Sequence, residues 1–364
     1  VYQRIRPDGG ATPAAIAAPP DTRGLDLLHW RATRAFEAGA LAEARLLWER
    51  AWRDAQRLLP EDDDRRLAIH RMLARVHDRL GNYAEAEALQ HQLIESLQTV
   101  RGSQHREAFL AQDDLAVIYF HAESFDKARA VRESLLTEME TSLGPADTAT
   151  LHVMSNLEGN LLSMGENPAA LELTRERVRR LKGLHPADSE PVFWADNALA
   201  YTLSACDRHD EAIALIHAVY ERVIEAYGET AKLTLAFADS VADLLQTRGT
   251  AKDLLEAANV QAQVLAYADA CYSPLDSTYQ GFVFTQARIL ARTDLEQHRS
   301  DIESLREGLI ARLTAAGAEQ ALLARMLRRF RGILGEVDPA AGTPSPEPPR
   351  AIVTTSGPTP EAPQ

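Results

Sequence analysis

The chain has 364 residues, 45% of them hydrophobic and 25% charged, and 53 acidic against 39 basic side chains leave a net charge of −14. This length exceeds what one ordinary core supports and points to two globular domains or one extended repeat array. The acidic balance argues against nucleic acid as the main partner. The two cysteines exclude a disulfide scaffold or a cysteine zinc site, and there is no apolar run of about 18 residues for direct membrane insertion.

Residues 1–24 carry Pro7, Pro13, Pro19 and Pro20 and read as a flexible Pro/Ala-rich leader; no apolar segment of a signal peptide is visible there. The chain opens on Val1 rather than methionine, as a processed or truncated product would. Lysine occurs only at Lys127, Lys182, Lys232 and Lys252, and the other basic residues are arginine, a bias expected of a GC-rich bacterial genome.

From about residue 25 to 270 the chain repeats with a period of 42. Gly39, Gly81, Gly165 and Gly249 mark the register, and Glu123 and Asp207 fill the two skipped places. Seven residues before the marks stand Ala32, Ala74, Ala116, Ala200 and Ala242, with Glu158 the exception. Five residues after them stand Ala44, Ala86, Ala128, Ala170 and Ala212, with Leu254 breaking the run. Such columns belong to antiparallel helix hairpins: small residues allow close approach, and the mark takes a positive φ at the turn. Asn82, Ser124 and Thr250 stand where helix N-caps belong, and Asn167 before Pro168 reads as a cap followed by proline in the first turn.

Past residue 271 the register slips. Ser277–Arg292 reads as a helix, Thr293 and Asp294 cap a second that runs to about Ala316, and 319–334 forms a last amphipathic helix that covers the final apolar face. Residues 271–336 are thus a degenerate repeat with capping helices, and 337–364 reads as a disordered Pro-rich tail.

The best copies, Leu73 and Ala74 before Gly81 with Tyr83 and Ala86 after it, and Leu115 and Ala116 before Ser124 with Phe125 and Ala128, resemble the tetratricopeptide repeat. The long period resembles its kinesin-light-chain type, and the segments Leu143 to Thr150 and Leu184 to Asp188 echo the signature between repeats. The resemblance implies an all-α fold: an α-solenoid of antiparallel helix hairpins wound into a right-handed superhelix, with about six repeats and C-terminal capping helices.

No phosphate-binding loop, dinucleotide fingerprint, His-Glu-x-x-His, nucleophile elbow or EF-hand pattern occurs, so no enzyme activity, metal or cofactor is expected. Glu61 to Asp64 reads as an acidic first turn, His70 and His77 as structural histidines, and Cys206 and Cys271 as free thiols. The resemblance places the first helix of each hairpin on the concave face. Its inward positions give Arg71, Arg75 and Arg79; Asp113, Asp114 and His121; His152, Ser155 and Asn156; Trp194, Asn197 and Tyr201; and Asp239, Ser240 and Asp243.

Asn156 matches the groove asparagine that in this family holds the backbone of an extended peptide, and Asn197 stands one place off that column. Trp194 and Tyr201 would anchor a partner, or Trp194 packs between helices. The arginine stripe could grip an acidic partner, or Asp113 and Asp114 neutralise it. The expected function is a non-enzymatic interaction scaffold that binds a peptide segment or partner protein. The alternative is the sensor or regulatory domain of a larger bacterial receptor kinase or transcription regulator. The expected compartment is the cytoplasm, or the periplasm for part of an anchored receptor. Self-association is open, since the tail could lie in a neighbour's groove.

Overall fold

The computed structural model describes residues 22–318 and 320–335. Most of the expected leader, and the whole of the expected tail, lie outside the described residues. The chain divides into two compact units between Ser124 and Phe125. The first holds α1 (Arg23–Glu37), α2 (Leu41–Leu58), α3 (Asp64–Arg79), α4 (Tyr83–Arg101) and α5 (Arg106–His121). The second holds α6 (Phe125–Ser142), α7 (Thr148–Ser163), α8 (Asn167–Leu184), α9 (Glu190–Ala205), α10 (His209–Tyr227), α11 (Lys232–Arg248), α12 (Ala251–Cys271), α13 (Ser277–Ala315) and α14 (Gln320–Leu334). Within each unit every helix packs against the next, and no strand occurs among the described residues.

The register marks are the turns. Gly39, Gly81, Gly165 and Gly249 have φ of 77°, 77°, 75° and 71°, and Glu123 (55°) and Asp207 (58°) are the non-glycine residues with positive φ among those described. After five of the marks the next N–H returns to a carbonyl five residues back: Ala40 to Ala35, Asn82 to His77, Ser124 to Tyr119, Glu166 to Leu161 and Arg208 to Leu203. This is the Schellman closure, which requires the left-handed residue it encloses.

That closure also moves the caps. Asn82 makes no side-chain cap bond, and Asn167 is already the first residue of α8, its amide donating to the Ala205 carbonyl at 2.5 Å. The Schellman bond has already engaged the backbone where an extended N-cap residue would sit. Side-chain caps appear instead on the longer connections, where Asp63, His105, Asp147 and Asp276 accept from the N–H two residues on. Thr250 is the exception among the tight turns and forms a capping box with Asp253.

Both alanine columns are fully buried, from Ala32 to Ala242 and from Ala44 to Ala212. The slip expected past residue 271 begins earlier, inside α12, which runs for 21 residues against 18 in α8. There Ala257 is fully buried, three residues after Leu254, which is itself buried. Gln261 donates to the Phe282 carbonyl as Gln90 does to that of Ala111, both across 21 residues, but three residues later in register. The turn inside α13 has no glycine: the helix breaks at Asp294 (φ −165°, ψ 106°), whose carboxylate accepts from Gln297 N–H at 3.0 Å. In α14, Met326, Phe330 and Leu334 then close the core over Phe284.

The break in the first alanine column has its own cause. Glu158 and Arg177, 2% and 7% exposed at the side chain, form a two-pronged ion pair at 2.6 and 2.9 Å between α7 and α8. In the same two registers the sequence carries Ala74 and Leu93, and Ala116 and Leu135.

Candidate functional site

The candidate residues fall on the odd-numbered helices, in two sets, one per unit. In the first unit α3 and α5 carry the charges. Arg71 is half-buried with its Nε 3.8 Å from Asp114 Oδ2, while Arg75 and Arg79 are exposed. The Arg79 guanidinium lies over the Phe36 ring at 5.8 Å. Asp113 is buried at 3% exposure, in the interior rather than on the surface. Asp114 stays partly open, yet burial pushes its carboxyl up to about 6; Arg71 and Arg75 oppose this, and the nearby carboxylates of Asp113 and Asp78 add to it. His121 Nδ1 is 2.9 Å from both carboxylate oxygens of Asp78. Asp78 was missed in the sequence because it stands one position before the inward column of Arg79, a rotation of about 100° around the helix. The stripe is therefore a mixed field, cationic at Arg75 and Arg79 and partly compensated at Arg71.

In the second unit the set is polar and aromatic. On α7, His152 is exposed and Asn156 half-buried, with Asn156 Nδ2 3.2 Å from His152 Nε2. On α9, Trp194 is half-buried, its indole N–H donating to Glu190 at 3.2 Å and its ring centred 4.8 Å from that of fully buried Phe237 on α11. Trp194 thus packs one face between helices and leaves the rest exposed. Tyr201 donates to Asp243 at 3.3 Å, and Asp243 in turn accepts from Arg288 of α13 at 3.2 Å. This ladder ties three neighbouring helices together. Arg288 escaped the sequence reading because α12's extra residues shift its register.

Asn197 is only 6% exposed, and its Oδ1 accepts no hydrogen bond. It lies in the wall between helices, whereas Asn156 lies on the face. Two shallow cavities occur elsewhere in this unit. One, of about 520 Å³, lies beside Pro145, Arg179 and Arg180; the other, of about 320 Å³, is lined by Tyr220, Leu235, Val264 and Tyr267. Neither of these two includes a candidate residue.

Among the described residues no group of three or more His, Cys, Asp or Glu could hold a metal ion. No described helix is long and apolar enough to cross a membrane. Both cysteines are free and half-buried, and burial raises the Cys206 thiol above its ordinary value. His70 is buried against Trp52, ring centroids 4.2 Å apart, and that burial holds its pKa down at about 4, as befits a structural histidine.

These features define a class, the all-α repeat of helix hairpins. Residues 71–107, which carry most of α3, the Gly81 turn and α4, match the family model described as tetratricopeptide repeat, and this segment is such a repeat. No curated protein matches the chain. Among solved structures, the chain is similar to the putative kinesin light chain TPR-like repeats of Podosopora anserina, with 22% identity over 56% of this chain and 97% of that one and a TM-score of 0.49. It is also similar to BtubC (BKLC) from P. vanneervenii, with 17% identity over 56% and 81% and a TM-score of 0.47. A Rap protein complexed with Competence and Sporulation Factor matches at 12% identity over 86% and 85%, with a TM-score of 0.49.

Proposed function

We propose that this protein is a non-enzymatic scaffold that holds a peptide segment or partner protein on the face formed by the odd-numbered helices of its second unit. The observation that carries the proposal is the construction of the second unit's face. Trp194 and Tyr201 are half-open aromatic groups held from behind, one by the buried ring of Phe237 and the other by the Asp243–Arg288 link. Aromatic side chains fixed before binding lose little conformational freedom on contact, which is what interface anchors require. Asn156 adds an amide that can both donate to and accept from a peptide backbone, so it suits an extended segment of varied sequence. The first unit's face, taken by itself, carries Arg75 and Arg79 and would favour acidic groups.

The test compares affinity capture from a lysate of the source cells by the parent chain and by an Asn156→Ala/Trp194→Ala/Tyr201→Ala variant with unchanged helical circular dichroism. A partner captured by the parent and lost by the variant is the expected result. For a purified partner, removing one buried aromatic anchor should weaken binding about 30-fold or more. Equal capture by both chains would overturn the assignment of this face.

A further inference from the structure

The helix face that opens the first unit is built unlike its counterparts in later repeats. Twelve residues before each mark the chain places Ile69, Ala111, Val153, Ala195 and Phe237, all at most 1% exposed because the preceding helix covers them. The equivalent residue of α1 is Leu27, 57% exposed, and beside it Trp30 is 58% exposed. Two further columns differ in the opposite sense. Where later repeats bury Leu73 and Val76, or Leu115 and Ile118, α1 exposes Arg31 and Arg34. The face is thus apolar at its centre and charged around it. Another repeat stacked here would have to bury Arg31 and the Arg34–Glu37 pair, at a large desolvation cost.

We infer that this face of α1 pairs with α1 of a second copy of the chain, antiparallel about Trp30. Asp26, Leu27, Trp30, Arg34 and Glu37 share one side of the helix by their three- and four-residue spacing. Asp26 and Arg34 each stand four residues from Trp30, in opposite directions. When the helix is turned end for end about Trp30, each Asp26 falls opposite the Arg34 of the second copy, and the two indoles meet at the axis. A two-fold interface demands this self-complementarity. At present Arg34 lies over the Trp30 ring at 6.0 Å and bonds Glu37 at 3.2 Å, and Asp26 lies 3.9 Å from Arg65. All of these are exposed pairs of the kind that rearrange at little cost. A 15-residue helix is about 22 Å long, so the seam is small and its dissociation constant belongs in the micromolar range.

The test is sedimentation equilibrium of the full chain from about 1 to 200 μM, the range that brackets such an affinity. A monomer–dimer equilibrium is expected for the parent. Trp30→Glu should abolish it, and Asp26→Arg or Arg34→Asp alone should weaken it about tenfold or more by opposing like charges. The double variant Asp26→Arg/Arg34→Asp restores opposite charges across the seam and should recover to within about threefold of the parent. In a Cys206→Ser/Cys271→Ser background, Trp30→Cys should form a disulfide-linked dimer under mild oxidation, and Leu255→Cys, also exposed, should not. A chain that stays monomeric at every concentration, a dimer indifferent to Trp30→Glu, or a double variant no better than either single one would overturn the inference.

Discussion

Replacing Glu158 by alanine restores the residue type found in this column of the other repeats, and it should nevertheless destabilise the protein. Glu158 and Arg177 are both buried and joined by two hydrogen bonds, so the substitution leaves a guanidinium in the interior without its counter-charge. Removing one partner of such a pair costs about 3–5 kcal/mol. Arg177→Leu strands the carboxylate and should cost a similar amount. The double variant Glu158→Ala/Arg177→Leu strands neither charge and gives these registers the residue types that the sequence carries at Ala74 and Leu93, so it should cost less than either single variant, its remaining loss being the cavity that the smaller pair leaves. The coupling between the two sites is then at least about 3 kcal/mol. Urea unfolding followed by circular dichroism measures the cycle, and hydrogen exchange in α7 and α8 reports the local effect. Single variants that cost less than about 1 kcal/mol, or costs that simply add, would refute the reasoning.

Two further outcomes follow from the same geometry. His70 has its pKa lowered from 6.5 to about 4 by burial. The folded state therefore resists taking up a proton that the unfolded chain accepts, and stability present above pH 6.5 is lost as pH falls towards 4, by about 3 kcal/mol. His70→Phe should flatten that part of the stability profile measured by thermal unfolding against pH. At the turns, Asp207 holds φ at 58°, so Asp207→Gly should stabilise by about 0.5–1 kcal/mol. Gly165→Ala, at φ 75°, should destabilise by about 1–2 kcal/mol, because an L side chain is strained there. A shift of melting temperature in the opposite direction for either variant would contradict the turn assignment.

The sequence by itself determined the repeat, its period and the position of every tight turn up to Gly249. These features depend on local chemistry: a left-handed residue is needed wherever two helices meet in a Schellman turn, and small residues are needed where their axes approach. Glu123 and Asp207 could be assigned to the turn although they are not glycine, because the columns on either side fixed the register. The tertiary structure decided what depends on pairing across helices. The pattern flagged Glu158 only as an exception, and its reason appears when Arg177 is brought to it from the next helix. Asn156 and Asn197 are the same residue type in adjacent columns, yet one lies on the face and the other in the wall, because a shift of one position turns a side chain by about 100° around a helix. Arg288 joined Tyr201 and Asp243 only after three extra residues in α12 moved its register, and only the packing shows that Leu27 and Trp30 are exposed, no described helix covering them. Periodicity records which side of a helix a residue occupies; which neighbour meets that side is set by packing over distances that a local pattern does not encode.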